Sequence, residues 1–143
     1  SGTAIEFAGI PSWVKRITVM YSGVSLSGTS NPIIQLGTAP ATYKTTGYLG
    51  TATTGAGTST NMSTGFLISS ASAAADIGHG ISVLATLNGL VWSYNSIIAY
   101  SNQAATRFAA GSATSASTID RIRITTVNGT DTFDAGSINI LYE

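Results

Sequence analysis

Alternation of apolar and polar residues with a period of two is the feature that most restricts the fold of this chain. Ile122 and Ile124 alternate with Arg121 and Arg123, which predicts a strand with one buried and one wetter face. Strand patterns also occur in residues 3–8, 13–25, 33–36, 81–87, 90–100 and 137–142. No segment has the apolar spacing and length of an ordinary helix, and residues 71–75 favour at most a helical turn capped near Asp76.

Two Asn-Gly dipeptides, Asn88-Gly89 and Asn128-Gly129, mark turns between predicted strands. Such dipeptides tolerate positive φ at both central positions, so each predicts a type I′ hairpin. Gly23 inside the second strand predicts a bulge or bend. Residues 51–63, rich in Gly, Thr, Ala and Ser, are interpreted as an exposed loop, and residues 108–113 give only a weak strand signal. Short strands separated by turns predict an all-β chain, an antiparallel β-sandwich or barrel.

Scarce charge is the main signal in the composition. The 143 residues are expected to form a single domain, and charged residues make 8% of them, against about 25% in ordinary domains. The net charge is zero, which argues against nucleic acid as a partner. No apolar run reaches the roughly 20 residues of a bilayer span, so membrane insertion is not expected. With a mean hydropathy of +0.28, part of the surface is expected to be covered by copies of the chain itself.

The inventory of reactive residues argues against an enzyme. The chain has no cysteine, and its single histidine, His79, is interpreted as a surface residue in a loop between glycines. No Gly-x-Ser-x-Gly elbow surrounds any serine. Asp131 and Asp134 are interpreted as turn residues, with a weak calcium site as the alternative. We therefore expect no catalytic residues and no cofactor.

An aromatic stripe on one predicted strand is the candidate for carbohydrate binding. Trp92, Tyr94 and Tyr100 share one parity, and sugars stack on such rings. Neighbouring amides would read the sugar hydroxyls, and the candidates are Asn95, Asn102 and Gln103. The alternative is that this parity is simply the core face. A second aromatic group comprises Tyr43, Lys44 and Tyr48, and Trp13 is expected to close one end of the sandwich.

The pair Arg121 and Arg123 is the candidate for an oligomer contact. The two side chains point the same way on one strand, where like charges repel unless something offsets them. An inter-subunit salt bridge, a clamp on an acidic sugar and a solvated strand face all remain open, and the oligomer contact is favoured.

Two long segments carry a family resemblance. IEFAGIPSWVKRITVMYSGVSLSGTSN near the start and GTDTFDAGSINILYE at the end resemble a C-terminal domain of bacteriophage tail fibres, tailspikes and related phage structural proteins. The resemblance implies a virion protein of the phage tail, extracellular after release, with a jelly-roll-like β-sandwich that assembles as a homotrimer. Residues 1–3 are interpreted as a cloning remnant or the cut end of a fragment, and a longer parent protein is expected upstream.

The function expected from the resemblance is trimerisation together with binding of carbohydrate on the host surface, either polysaccharide or lipopolysaccharide. Any depolymerase activity would belong to an upstream domain. Two alternatives remain open: an assembly clamp that binds no glycan, and a carbohydrate-binding appendage of a polysaccharide-degrading enzyme.

Overall fold

The structure is a computed structural model that describes residues 2–143. Strands make up 58% of the chain, and residues 2–143 contain no helix, so none is available to span a bilayer. The all-β prediction is confirmed. The strands are β1 (Ala4–Ala8), β2 (Arg16–Leu26), β3 (Pro32–Thr38), β4 (Thr42–Tyr43), β5 (Tyr48–Thr54), β6 (Ser59–Asn61), β7 (Phe66–Leu67), β8 (Gly78–Thr86), β9 (Val91–Tyr100), β10 (Ala105–Thr114), β11 (Arg121–Thr126) and β12 (Phe133–Tyr142).

These strands form two antiparallel sheets. The five-stranded sheet has the order β1-β11-β3-β4, with β7 also paired to β3. The seven-stranded sheet has the order β12-β2-β8-β9-β10-β5-β6. One cluster of buried apolar side chains contains residues of both sheets, among them Ile34, Leu36, Ile122 and Ile124 from the smaller sheet and Ile17, Val19, Leu84 and Trp92 from the larger. The core therefore lies between the two sheets, as in a sandwich.

The period of two explains which side chains enter this core. On β9, buried and outward-facing residues alternate from Val91 to Tyr100 without interruption. On β11, Ile122 and Ile124 are fully buried while the intervening Arg123 is only partly covered. A strand places successive side chains on opposite faces, so alternation in the sequence becomes alternation in burial. The strand assignments made from this period are confirmed for both elements.

Buried hydroxyl groups connect three neighbouring strands of the larger sheet. Ser82 on β8 lies beside Ser96 on β9, and their oxygens are 2.9 Å apart. Tyr21 on β2 donates to the Ser82 hydroxyl over 3.1 Å, and the Tyr94 hydroxyl donates to the backbone oxygen of Leu67 over 3.0 Å. We call Tyr21, Ser82, Tyr94 and Ser96 the hydroxyl network. Each polar group in it has a partner, as burial requires.

The hairpin predicted at Asn88-Gly89 is confirmed, although its turn differs. β8 and β9 pair in register around it. Positive φ occurs at Gly89, at 87°, but not at Asn88, so the turn is not type I′. The Asn88 side chain instead accepts hydrogen bonds from the amides of Leu90 and Val91, over 3.1 and 2.9 Å. Asparagine closes this turn with its side chain rather than with a left-handed backbone.

The hairpin predicted at Asn128-Gly129 is wrong. β11 pairs with β1 and β3 in the smaller sheet, whereas β12 pairs with β2 in the larger one. The turn therefore carries the chain from one sheet to the other. Asn128 closes it by accepting from the amides of Thr130 and Asp131, over 3.0 and 3.2 Å. Turn chemistry alone does not reveal which strands pair afterwards.

The bulge predicted at Gly23 is confirmed. The register between β2 and β8 shifts between Tyr21 and Val24, and Gly23 has a φ of 67°. Gly136 on the neighbouring β12 also has positive φ, at 84°. A Cβ atom on Gly136 would lie 2.3 Å from the backbone oxygen of Gly23. Only glycine at position 136 allows the two backbones to approach this closely.

Two other expectations need correction, and two are confirmed. The turn expected near Asp76 is present, since Asp76 accepts from the amide of Ala73 over 2.9 Å. The weak strand signal at residues 108–113 belongs to β10, a strand of ten residues. The loop predicted at residues 51–63 is wrong, because this segment holds the end of β5 and all of β6, paired with one another. Trp13 is 60% exposed and packs against Tyr142, with ring centroids 6.1 Å apart, so it does not close the core.

Candidate interaction surfaces

The aromatic stripe on β9 lies in the core. Trp92, Tyr94 and Tyr100 are only 2, 4 and 8% exposed. Tyr94 stacks on Phe66 of β7 with ring centroids 4.6 Å apart. A sugar needs an open ring face, so the prediction that these rings form a sugar platform is corrected. The structure shows the alternative, in which the side chains of this parity on β9 face the core.

The three amide residues proposed with the stripe lie apart from it. Asn95 is on β9 but faces outward, because it has the opposite parity to the buried rings. Asn102 and Gln103, in the turn between β9 and β10, contact the loop before β8. Asn102 accepts from the amide of Ile77 over 3.0 Å, and Gln103 donates to the Asp76 carboxylate. Asn102 and Gln103 thus hold that loop against the sheet, and the predicted sugar-binding set is not brought together.

The second aromatic group is divided in the same way. Tyr48 is buried; its hydroxyl accepts from the amide of Leu36 over 2.8 Å and donates to the backbone oxygen of Lys44 over 3.1 Å. Burial raises the pKa of the Tyr48 hydroxyl. Tyr43 lies on the outer face of the smaller sheet, with the Arg123 guanidinium 4.1 Å from its ring centroid. Tyr43 therefore belongs with the arginines, where it stacks as a cation–π partner.

The two arginines of β11 are both bound within their own chain. Arg121 forms an ion pair with Asp120, at 2.9 Å, and donates to the backbone oxygen of Pro40 over 3.2 Å. Arg123 donates through Nε to the side-chain oxygen of Gln35 over 3.0 Å. The Arg121 guanidinium lowers the pKa of the Asp120 carboxyl. Asp120 immediately precedes β11, so this ion pair joins neighbours in the sequence. An oligomer contact through these arginines stays a prediction.

Of the two acidic candidates for a metal site, Asp131 fills the predicted turn role, whereas Asp134 lies in β12 rather than in a loop. Asp131 accepts from the amide of Ser30 over 2.9 Å and from the Asn128 side chain over 2.8 Å, and these bonds lower its pKa. Asp134 accepts from the Ser25 hydroxyl instead. No three His, Asp or Glu side chains among residues 2–143 are grouped to hold a metal ion. His79 is exposed as predicted, but it lies in β8 rather than in a loop.

A polar groove of about 270 Å³ opens where the loop before β3 meets the segment between β6 and β7. We call it the polar groove. Its hydroxyl and amide lining includes Thr29, Asn31, Thr60, Asn61, Ser63 and Thr64, and no charged residue lines it. The exposed side chain of Val127 adds an apolar wall. Such groups hydrogen-bond readily to hydroxyl-rich ligands.

The outer face of the larger sheet carries a row of large apolar side chains. Met20, Ile81, Ile97 and Phe108 are direct cross-strand partners on β2, β8, β9 and β10, and each is 39 to 47% exposed. We call these four residues the apolar row. The rows on either side hold no Asp, Glu, Lys or Arg: one includes Thr18, Val83, Asn95 and Ala110, and the other includes His79, Ala99 and Thr106. We call the three rows together the uncharged face.

Sequence reasoning missed the uncharged face because it treats each strand separately. Ile81 and Ile97 have the outward parity on their own strands, which looks like an isolated exception to alternation. Their significance depends on the register that places them side by side.

Comparisons with protein-family models, with curated proteins and with solved structures find no match to this chain.

Proposed function

We propose that this chain is the C-terminal domain of a phage tail fibre or tailspike, a virion protein that trimerises and binds carbohydrate on the host cell. The resemblance of its first and last segments supports the protein class. A jelly-roll-like sandwich is part of the proposal, and the repeated crossing of the chain between two antiparallel sheets supports it.

The observation that carries the proposal is the exposure of large apolar side chains on a chain with little charge. Only six basic and six acidic residues occur in the whole sequence. The exposed large apolar residues are as numerous: Trp13, Met20, Leu49, Ile77, Ile81, Leu87, Leu90, Ile97, Phe108, Val127, Leu141 and Tyr142. Extended apolar patches mark surfaces that a partner covers, and identical copies are the commonest partners.

Size-exclusion chromatography with light scattering tests trimerisation. The expected result is a mass of three chains that persists on dilution, with a far-ultraviolet spectrum typical of β-structure. A mass of one chain at every concentration would contradict the proposal, because the apolar surface would then be stable in water without a partner.

Carbohydrate binding receives its support from the polar groove rather than from the aromatic stripe. The uncharged lining suits neutral sugars, since no basic group is present to pair with an acidic one. Three weak sites on one rigid trimer would multiply the avidity without any single tight site.

Binding to a panel of purified bacterial polysaccharides and lipopolysaccharides tests this part. We expect Asn61→Ala in the groove to reduce retention of the bound glycan by roughly tenfold, the effect of about one hydrogen bond. Ser117→Ala is the control and is expected to have no effect on glycan retention, because Ser117 is exposed and lies outside both the groove lining and the uncharged face. A trimer that retains no envelope glycan would favour the assembly-clamp alternative.

A further inference from the structure

We propose that the uncharged face is the surface that copies of this chain bury against one another. This inference rests on the proposed self-association and adds the location of the contact. It assigns the apolar row to the centre of the interface and makes the outer face of the larger sheet the covered side of the sandwich.

Continuity of the apolar row is the first support. Ile81 has Met20 on one side and Ile97 on the other, and Phe108 follows next to Ile97. Neighbouring strands lie about 4.8 Å apart, so these four side chains lie side by side in one row across four strands. Scattered apolar residues are ordinary on a protein surface, whereas a contiguous row is typical of the centre of an interface.

The absence of charge on the uncharged face is the second support. It favours a second copy of the chain as the partner that covers this face. Where identical subunits meet around a symmetry axis, a charged residue near the axis faces its own equivalent at short range. The three rows of the uncharged face hold no Asp, Glu, Lys or Arg. Arg16 and Glu143 lie beyond one of these rows and pair with each other at 3.5 Å, and Asp134 lies beyond the other, where it accepts from the Ser25 hydroxyl. Nothing on this face opposes contact with itself.

The available area is the third support. The apolar row continues onto β12 at Asn139, which pairs with Met20, and onto β5 at Thr53, which pairs with Phe108. Six strands at about 4.8 Å spacing and three side-chain rows of about 6.8 Å give a projected area of about 600 Å². The accessible area of a side-chain-covered surface is larger than its projection. A stable interface buries about 800 Å² on each partner, so the uncharged face has the size that a specific contact needs.

The outer face of the smaller sheet is a poorer candidate. Arg123 covers Tyr43 and Gln35 there, and Arg121 is paired with Asp120. Burying this face in an oligomer would remove water from several charged groups whose partners are already within the chain, and that desolvation has a cost. The uncharged face carries no such penalty.

Single lysine substitutions on the apolar row test the inference. Ile97→Lys and Phe108→Lys each place a charge at the centre of the proposed contact, while in the single chain the lysine can extend into water. We expect each to weaken self-association by roughly 100-fold and to give a mass of one chain by light scattering. Leu87→Lys is the matched control, because Leu87 is equally apolar but lies in the turn between β8 and β9. It is expected to keep the oligomer.

Thiol labelling tests the same contact without adding charge. The chain has no cysteine, so Ile97→Cys and Leu87→Cys each introduce a unique reactive group. In the oligomer, we expect the thiol at position 97 to react roughly tenfold more slowly than the thiol at position 87, because burial limits access. Adding Phe108→Lys, which is expected to give single chains, should remove the difference.

The outcomes separate the two proposals. If the wild-type chain is an oligomer and the lysine variants remain one, the uncharged face is not the interface, although self-association stands. If the wild-type chain is always single, both proposals fail. Loss of the oligomer in Ile97→Lys and Phe108→Lys but not in Leu87→Lys supports the inference.

Discussion

Alkaline titration of the tyrosines tests whether the aromatic stripe belongs to the core. Four of the six tyrosines are buried: Tyr21, Tyr48, Tyr94 and Tyr100. Burial raises the pKa of each of these hydroxyls above the ordinary value of 10, and hydrogen bonds to Ser82 offset part of the rise at Tyr21 and Tyr94. The folded chain therefore keeps these groups neutral at a pH where the unfolded chain ionises them.

The direction and size of the effect follow from linkage between protonation and folding. A raised pKa in the folded state leaves stability complete below pH 10 and removes it as the pH rises further. Each buried tyrosine favours the unfolded state by about 1.4 kcal/mol at one pH unit above 10. Tyr21, Tyr48 and Tyr94, whose pKa is raised most, together contribute about 4 kcal/mol, which approaches the stability of an ordinary domain, about 5 to 15 kcal/mol. Unfolding is expected between about pH 11 and 12.

The assay follows phenolate absorbance and far-ultraviolet circular dichroism together. The four buried tyrosines should ionise only as the strands unfold. Ionisation of these four near pH 10 with the β-structure intact would refute the burial of the stripe.

Two further substitutions test particular backbone and side-chain contacts. Gly136→Ala is expected to lower the free energy of unfolding by about 2 to 3 kcal/mol, because it adds a clash with β2 to an unfavourable positive φ. Gly129→Ala has positive φ but open space around it, so chemical denaturation should show a cost of only about 1 kcal/mol, and equal costs would contradict the clash. Asp131 has a lowered pKa, so its hydrogen bonds from Asn128 and Ser30 stabilise the fold above the ordinary aspartate pKa and are lost as the pH falls through the lowered value. Asp131→Asn should flatten the acid side of a plot of unfolding free energy against pH, and an unchanged slope would contradict this role.

Strand periodicity predicts the parts of the fold that depend on a single strand or hairpin. The outward and inward faces of β9 and β11 follow directly from alternation, and β8 pairs with β9 as Asn88-Gly89 predicts. β10 was only weakly predicted, because its Ala, Gly and Ser residues have low β-propensity and it is held by pairing with β9 and β5. Tertiary pairing here outweighs local preference.

Long-range features could not be obtained from the sequence. The turn at Asn128-Gly129 looks like a hairpin, yet the choice between pairing with β11 and crossing to β2 depends on the other sheet. Parity places Trp92 and Tyr94 together but does not say whether their face is covered. The apolar row becomes visible only once four strands are in register.

The hydroxyl network has a consequence for how faithfully the larger sheet assembles. Sliding β8 by two residues along β2 would keep each side chain on its own face of the sheet, so the hydrophobic pattern alone cannot reject that error. Such a shift would move Ser82 away from Tyr21 and leave their hydroxyls in the core without this hydrogen bond. Each buried polar group without a partner costs about 1 to 3 kcal/mol. The hydrogen bonds among these four side chains therefore favour a single register for the strands of the larger sheet.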